Sequence, residues 1–220
     1  MKLQNKNKGF SLIELSIVLI IIGLLVAGIT GGASLIKSAE LRSTMSEVRN
    51  YQTAINAYYT ANGSLPGVTD SAQMDFINTG KAWNDMFTEG IIDAAPTTTG
   101  VLASATTSLS IDNGMKSKVK GGFYVLGYND GMKSNIIVLA SGTTDTPTTL
   151  KAASAVATKA PVTNPSITRK DAQFLDDKMD NGIIDSGKVQ SFPTGSVTTT
   201  CASYDGTATK DCALGVSFGL

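Results

Sequence analysis

One feature limits what this chain can fold into, a membrane-length apolar run close to its N-terminus. Between Gly9 and Ile36 the only charged side chain is Glu14. An uncharged helix of this length can cross a bilayer. A carboxylate close to hydrocarbon is costly and usually has a function. The run therefore predicts a helix that lies in lipid or among copies of itself, and it marks Glu14 as a candidate functional residue.

The residues before the run carry three lysines (Lys2, Lys6 and Lys8) and no acid. Positive charge on this side predicts a cytoplasmic N-terminus. A secretory signal peptide that ends near Ala33 and Ser34 is one alternative, and a plain membrane anchor is another. The apolar run is longer than a usual signal core, and neither alternative explains the order of residues from Gly9 to Glu14.

The six residues from Gly9 to Glu14, Gly-Phe-Ser-Leu-Ile-Glu, resemble the class III signal of type IV prepilins and type II secretion pseudopilins. The resemblance implies that a prepilin peptidase cuts after Gly9 and that Phe10 becomes the N-methylated first residue. It also implies that Glu14 pairs with a terminal amine during filament assembly. Because a buried carboxylate without a partner is expensive, this pair would set the register of stacked helices.

The helix is expected to continue beyond the apolar run. Apolar residues recur there at steps of three and four, as in a helix with one packed face; they include Leu41, Met45, Val48, Ile55, Tyr58 and Tyr59. The segment 62–67 contains residues that stop a helix. The sequence therefore divides into a leader at 1–9, an apolar helical half at 10–36, an amphipathic half at 37–62 and a head at 63–220.

The head mixes short helices and strands. Residues 74–92 have helical spacing around Trp83, and the Thr- and Pro-rich residues 142–165 predict a long loop. The strand candidates are 101–103, 122–128, 135–141, 189–192 and 215–218. A turn signal at 129–131 predicts that the second and third form an antiparallel hairpin. The expected fold class is α+β and pilin-like, with a long N-terminal helix packed on a small antiparallel sheet.

A cluster of acids follows in residues 171–188, which resemble a segment in the heads of pilin-like proteins with this same signal. Asp176, Asp180 and Asp185 are a candidate calcium site, since hard oxygen ligands suit this ion. Their spacing does not fit an EF-hand. The alternative is a short helix with solvated acids, capped at its C-terminus by Asn181 and Gly182.

Cys201 and Cys212 are the only cysteines of the chain. In an exported chain they are expected to form a disulfide that closes a short C-terminal loop, and the resemblance to pilins supports this placement. The alternative is two free thiols. A zinc site would need two further ligands, in a chain that has no histidine.

Composition argues against an enzyme. The chain has no histidine, so the commonest general base is missing, and its 18 basic side chains balance 18 acidic ones. No nucleic-acid affinity follows from a net charge of zero. We expect no cofactor apart from the candidate calcium ion.

The resemblance implies a structural subunit of a type IV pilus or a type II secretion pseudopilus. Its partners would be identical or related pilin subunits, the prepilin peptidase, the inner-membrane assembly platform and, before assembly, the lipid bilayer. The chain would cross the bacterial inner membrane once, with a periplasmic head, and then enter the filament. The alternatives are a minor pilin that binds DNA or a surface, and a membrane-anchored periplasmic domain that never polymerises.

Overall fold

The structure is a computed structural model. It describes residues 10–68, 79–96, 114–119, 121–129, 134–141, 167–193 and 210–218. Within these ranges the helices are α1 (Leu12–Asn62), α2 (Thr79–Thr88) and α3 (Arg169–Met179). The strands are β1 (Met115–Lys116), β2 (Gly122–Asn129), β3 (Ser134–Ser141), β4 (Ile167–Thr168), β5 (Val189–Pro193) and β6 (Lys210–Phe218). The chain divides into two compact units, Met1–Glu40 and Leu41–Leu220.

The first unit contains the apolar half of α1. Its large apolar side chains are exposed, from 51% at Ile17 to 91% at Phe10. The most apolar window of α1 has a mean hydropathy of 2.8 and no buried residue, so by length and composition the helix could cross a membrane. The sequence predicts one long helix from residue 10 to the stop at 62–67, and this helix is confirmed, since α1 spans Leu12–Asn62.

In the second unit the remaining part of α1 packs through one stripe of buried side chains. The buried residues of this stripe are Leu41, Thr44, Val48, Ala54 and Ile55. The amphipathic pattern in the sequence is confirmed, since three of the predicted apolar positions are in this stripe. The helix ends at Asn62, and Gly63 follows with a φ of +69° while its N–H donates to the Tyr59 carbonyl. Glycine is the usual residue at this position because it adopts a positive φ without the backbone strain of other residues.

The strands form one antiparallel sheet. Its order is β1-β2-β3-β6-β4, and β5 also pairs with β6. The predicted hairpin is confirmed, since β2 pairs with β3 with Val125 opposite Val138. The last strand is longer than the predicted 215–218, because it extends back to Lys210 to pair with β4 and β5.

Two short strands were missed, β1 and β4, and each has two residues. A pair of residues is too short to show the alternation that reveals a strand. The predicted strand at 101–103 and the predicted loop at 142–165 lie outside the described residues. The start of the predicted helical region at 74–92 also lies outside the described residues; in the described part, 79–92, the helix α2 covers Thr79–Thr88 and ends before residue 92. The predicted limits of the leader, the two helical halves and the head stay predictions.

The core of the head lies between the sheet and all three helices. It contains Ile55 of α1, Trp83 of α2, Leu175 of α3 and alternating residues of the strands, such as Tyr124 and Leu126. The intervening residues Phe123, Val125, Ile136 and Val138 are also buried. A strand that is buried on both faces has a continuous run of apolar residues in its sequence, and β2 and β3 both show such a run.

Candidate assembly site

Two side-chain hydrogen bonds close the start of α1, one accepted by Glu14 and one accepted by Ser11. The Ser11 N–H donates to Glu14 Oε2 at 2.9 Å, and the Ile13 N–H donates to Ser11 Oγ at 3.3 Å. The bond to Glu14 is the glutamate half of a capping box, while the serine side chain accepts from Ile13 rather than from Glu14; both bonds satisfy amides that have no partner within the helix. Glu14 therefore has a local role that the sequence analysis missed. The signal was present as the Ser-x-x-Glu spacing.

Phe10 and Glu14 both lie on the exposed surface of the first unit, and Gly9 lies outside the described residues. The side chain of Phe10 is 91% exposed, and its neighbour Leu12 is 87% exposed. The capping hydrogen bond uses one oxygen of Glu14, Oε2. The cleavage after Gly9, the methylation of Phe10 and the pairing of Glu14 with a second subunit stay predictions.

In the second unit, α1 is fixed to the sheet through Glu47. Its Oε2 accepts hydrogen bonds from the Tyr124 hydroxyl at 2.8 Å, from the Ser117 hydroxyl at 3.3 Å and from the Lys118 N–H at 3.3 Å. Burial raises the pKa of Tyr124 well above its usual range. The Ser117 hydroxyl also lies 3.2 Å from the Tyr124 hydroxyl, and a hydrogen bond from it lowers the pKa of Tyr124, whereas the negative charge of Glu47 raises this pKa further.

Tyr51 packs against two other aromatic rings in the head. Tyr51 contacts Trp83 edge-on, with ring centroids 4.9 Å apart, and it contacts Tyr124 in the same manner at 5.3 Å. Burial raises the pKa of Tyr51 to about 12, and the charge of Glu47 contributes to the rise. Edge-to-face contacts of this kind fix the relative orientation of their rings. The cluster therefore holds α1, α2 and β2 together inside the head.

The three aspartates proposed as calcium ligands have different surroundings. Asp176 is fully buried, and its Oδ1 accepts the Gly182 N–H at 3.1 Å. Asp180 is exposed, and its Oδ2 accepts the backbone N–H groups of Lys188 and Val189. Asp185 is exposed as well.

In the part of the chain that the structure describes, no group of three or more acidic, cysteine or histidine side chains is placed to hold a metal ion. Two of the aspartates act instead as acceptors that close the loop between α3 and β5. The helix cap is Asp180 rather than the predicted Asn181 and Gly182, and its N–H donates to the Asp176 carbonyl at 2.7 Å. Calcium binding stays a prediction.

Cys212 is buried in β6. Cys201 lies outside the described residues, so the disulfide between these two cysteines stays a prediction.

Comparison with known families finds one match. The model of the prokaryotic N-terminal methylation motif matches residues 4–30, a stretch that contains Gly9, Phe10 and Glu14. No curated protein and no solved structure matches the chain. The chain therefore carries the class III signal of type IV prepilins and pseudopilins, and its fold is α+β and pilin-like.

Proposed function

We propose that this protein is a structural subunit of a type IV pilus or a type II secretion pseudopilus. It is cleaved after Gly9, N-methylated at Phe10 and assembled through its N-terminal helix. The observation that carries the proposal is the methylation motif at residues 4–30, on a helix whose apolar half is exposed.

The apolar half of α1 requires an apolar environment. Full burial of one Leu or Ile side chain contributes about 1.5–3 kcal/mol, and this half carries many such residues exposed to more than 50%. Lipid surrounds these apolar side chains before assembly, and the helices of neighbouring subunits bury them in the filament. One segment therefore serves as a temporary anchor and then as a polymerisation surface.

Glu14 determines how the helices stack. Moving its carboxylate from water into an apolar helix bundle is unfavourable unless a cation accompanies it. The new amine of Phe10, exposed by cleavage, provides this cation on a neighbouring subunit. A subunit one step out of register leaves the carboxylate without its partner, so the pair selects the correct stacking.

In this proposal the head is not catalytic, and the chain has no histidine to act as a general base. It faces the periplasm while the N-terminal helix crosses the inner membrane. The prepilin peptidase and the inner-membrane assembly platform act on the chain before other pilin subunits do.

Mass spectrometry of the mature N-terminus tests the processing. We expect a methylated phenylalanine at position 10, and a mature chain that begins near Ala33 would show a secretory signal peptide instead. Filament yield tests assembly. Glu14→Ala should insert into the membrane but fail to enter filaments, whereas the control Glu40→Ala, on the same helix beyond the apolar run, should assemble. A wild-type chain that is inserted and never enters a filament would be an anchored periplasmic domain.

A further inference from the structure

A groove of about 290 Å³ lies in the second unit beside α1, β5 and β6. Its polar lining consists of Arg49, Gln52, Asn56, Lys188 and Ser217. The positions on α1 are three and four residues apart, so they lie on one face of the helix.

The opposite wall of the groove is built on paired strands. Val189 of β5 lies opposite Val216 of β6, and both side chains are buried. The carbonyl of Lys188 accepts the Ser217 N–H at 2.7 Å. The backbone that carries Lys188 is therefore held by the sheet, and the helix face that carries Arg49 is held by the buried neighbours Val48 and Ile55. The groove has two fixed walls.

Two cationic side chains, those of Arg49 and Lys188, line this groove. Arg49 and Lys188 are exposed, and no acidic side chain within the described ranges lies at ion-pair distance from either. Lys81, in contrast, is paired with Asp85 at 2.6 Å. A planar guanidinium binds a carboxylate with two parallel hydrogen bonds, and nearby amide and hydroxyl groups can donate to its remaining lone pairs.

The charge of the chain indicates the source of that carboxylate. The whole chain has equal numbers of basic and acidic side chains, so loss of Lys2, Lys6 and Lys8 with the leader leaves an excess of three acids. Each mature copy thus offers surplus carboxylates to its neighbours, and Glu89 and Asp185 are examples that lie exposed on the head.

We propose that the groove binds an acidic side chain of a second copy of this chain, held between Arg49 and Lys188. The inference rests on the proposed function, because it places the contact between heads in a filament. Opposite charges at such a contact act mainly on register and partner choice. The groove would thus complement Glu14, which sets the register of the helices.

Charge reversal tests the contact in a strain that assembles the wild-type protein. Arg49→Glu combined with Lys188→Glu should leave membrane insertion, cleavage and methylation unchanged and lower filament yield roughly tenfold. The matched control combines Arg42→Glu with Lys178→Glu, which reverses two exposed cations that do not line the groove. Equal yields from the groove variant and the control would overturn the inference. If the reversed chain fails to fold, Arg49→Gln with Lys188→Gln gives the same comparison without added acid.

A photo-reactive residue at Asn56 identifies the occupant in intact filaments. We expect a cross-link between two copies of the chain, attached within a peptide that contains an exposed acid. Assembled filaments that give no such cross-link contradict the inference. Citrate and phosphate are the probes for a soluble anion, and a rise in the unfolding temperature of the wild-type chain but not of the groove variant would assign the groove to a small molecule.

The two proposals fail in different ways. If the wild-type chain is never found in filaments, the proposed function fails and this inference fails with it. If wild-type filaments form, Glu14→Ala abolishes them and the groove variants assemble normally, only the contact between heads is wrong.

Discussion

The Tyr124 hydroxyl donates a 2.8 Å hydrogen bond to the Glu47 carboxylate and so joins β2 to α1 inside the head. The tyrosine is fully buried, and Glu47 also accepts from Ser117 and Lys118. Hydrogen bonds to a charged group contribute about 1.5–3 kcal/mol each, more than those between neutral groups. This carboxylate is therefore a main polar attachment of the long helix to the sheet.

Removal of the Tyr124 hydroxyl should destabilise the head. Tyr124→Phe keeps the ring in the core and leaves Glu47 with two donors, so we expect the free energy of unfolding to fall by about 1–3 kcal/mol. Urea denaturation of the full chain in detergent measures the change. Tyr59→Phe is the control, because Tyr59 is partly buried and its hydroxyl makes no hydrogen bond within the described residues. Equal losses in the two variants would show that Glu47 is not an important attachment.

Alkaline pH should destabilise the head through Tyr51, which packs on Trp83 and Tyr124. Burial raises the pKa of Tyr51 to about 12 from its ordinary value of 10.0, so the unfolded chain loses this proton first. The contribution to stability is fully present below pH 10 and is lost as the pH rises toward 12. Tyrosinate absorbance followed together with circular dichroism measures both events. Ionisation of all tyrosines near pH 10 in a chain that remains folded would contradict the prediction.

The elements whose apolar residues recur at a regular spacing could be predicted from the sequence. The stripe on α1 and the β2–β3 hairpin each repeat their pattern over eight or more residues. Tertiary partners could not be predicted, because they depend on residues far apart in the chain. Glu47 directly precedes the apolar position Val48 in the amphipathic half of the helix, and nothing local indicates that Tyr124, 77 residues away, donates to it.

The same limit applies to the candidate sites. The signal from Gly9 to Glu14 is contiguous, so the sequence alone was sufficient to recognise it. Asp176 and Asp180 are four residues apart on the chain, yet they accept from different backbone amides in the following loop. Their roles depend on how that loop folds back onto the end of α3, and composition does not reveal this.

Two substitutions of Glu14 separate its local role from its charge. Glutamine serves in a capping box, so Glu14→Gln should keep the hydrogen bond from the Ser11 N–H while it loses the charge that pairs with an amine. We expect Glu14→Gln to retain slow amide exchange at the start of α1 and yet fail to form filaments. Glu14→Ala should lose both properties. Normal filaments from Glu14→Gln would show that the capping box, not the ion pair, is what assembly requires.

The candidate calcium site of Asp176, Asp180 and Asp185 can be tested directly. Asp176 and Asp180 already accept backbone hydrogen bonds, so a bound ion would share these carboxylates with the N–H groups of Gly182 and Val189. If calcium binds, calorimetric titration of the full chain gives binding heat, and a titration without heat rules the site out. Asp185→Asn is the matched variant, because it removes the third candidate ligand from an exposed position. Heat that appears in the wild type and disappears in this variant would establish the site.

The loop closed by Asp180 should depend on Gly187. Gly187 has a φ of +80°, and a Cβ added there would overlap the Oδ2 atom of Asp180, which accepts the Val189 N–H. Gly187→Ala therefore adds a steric clash to the backbone strain of about 1–2 kcal/mol that a left-handed residue carries. Gly63→Ala is the matched control, since Gly63 has a φ of +69° and open space at its Cβ. We expect Gly187→Ala to lower the unfolding midpoint clearly more than Gly63→Ala does, and similar midpoints would show that Asp180 moves aside freely.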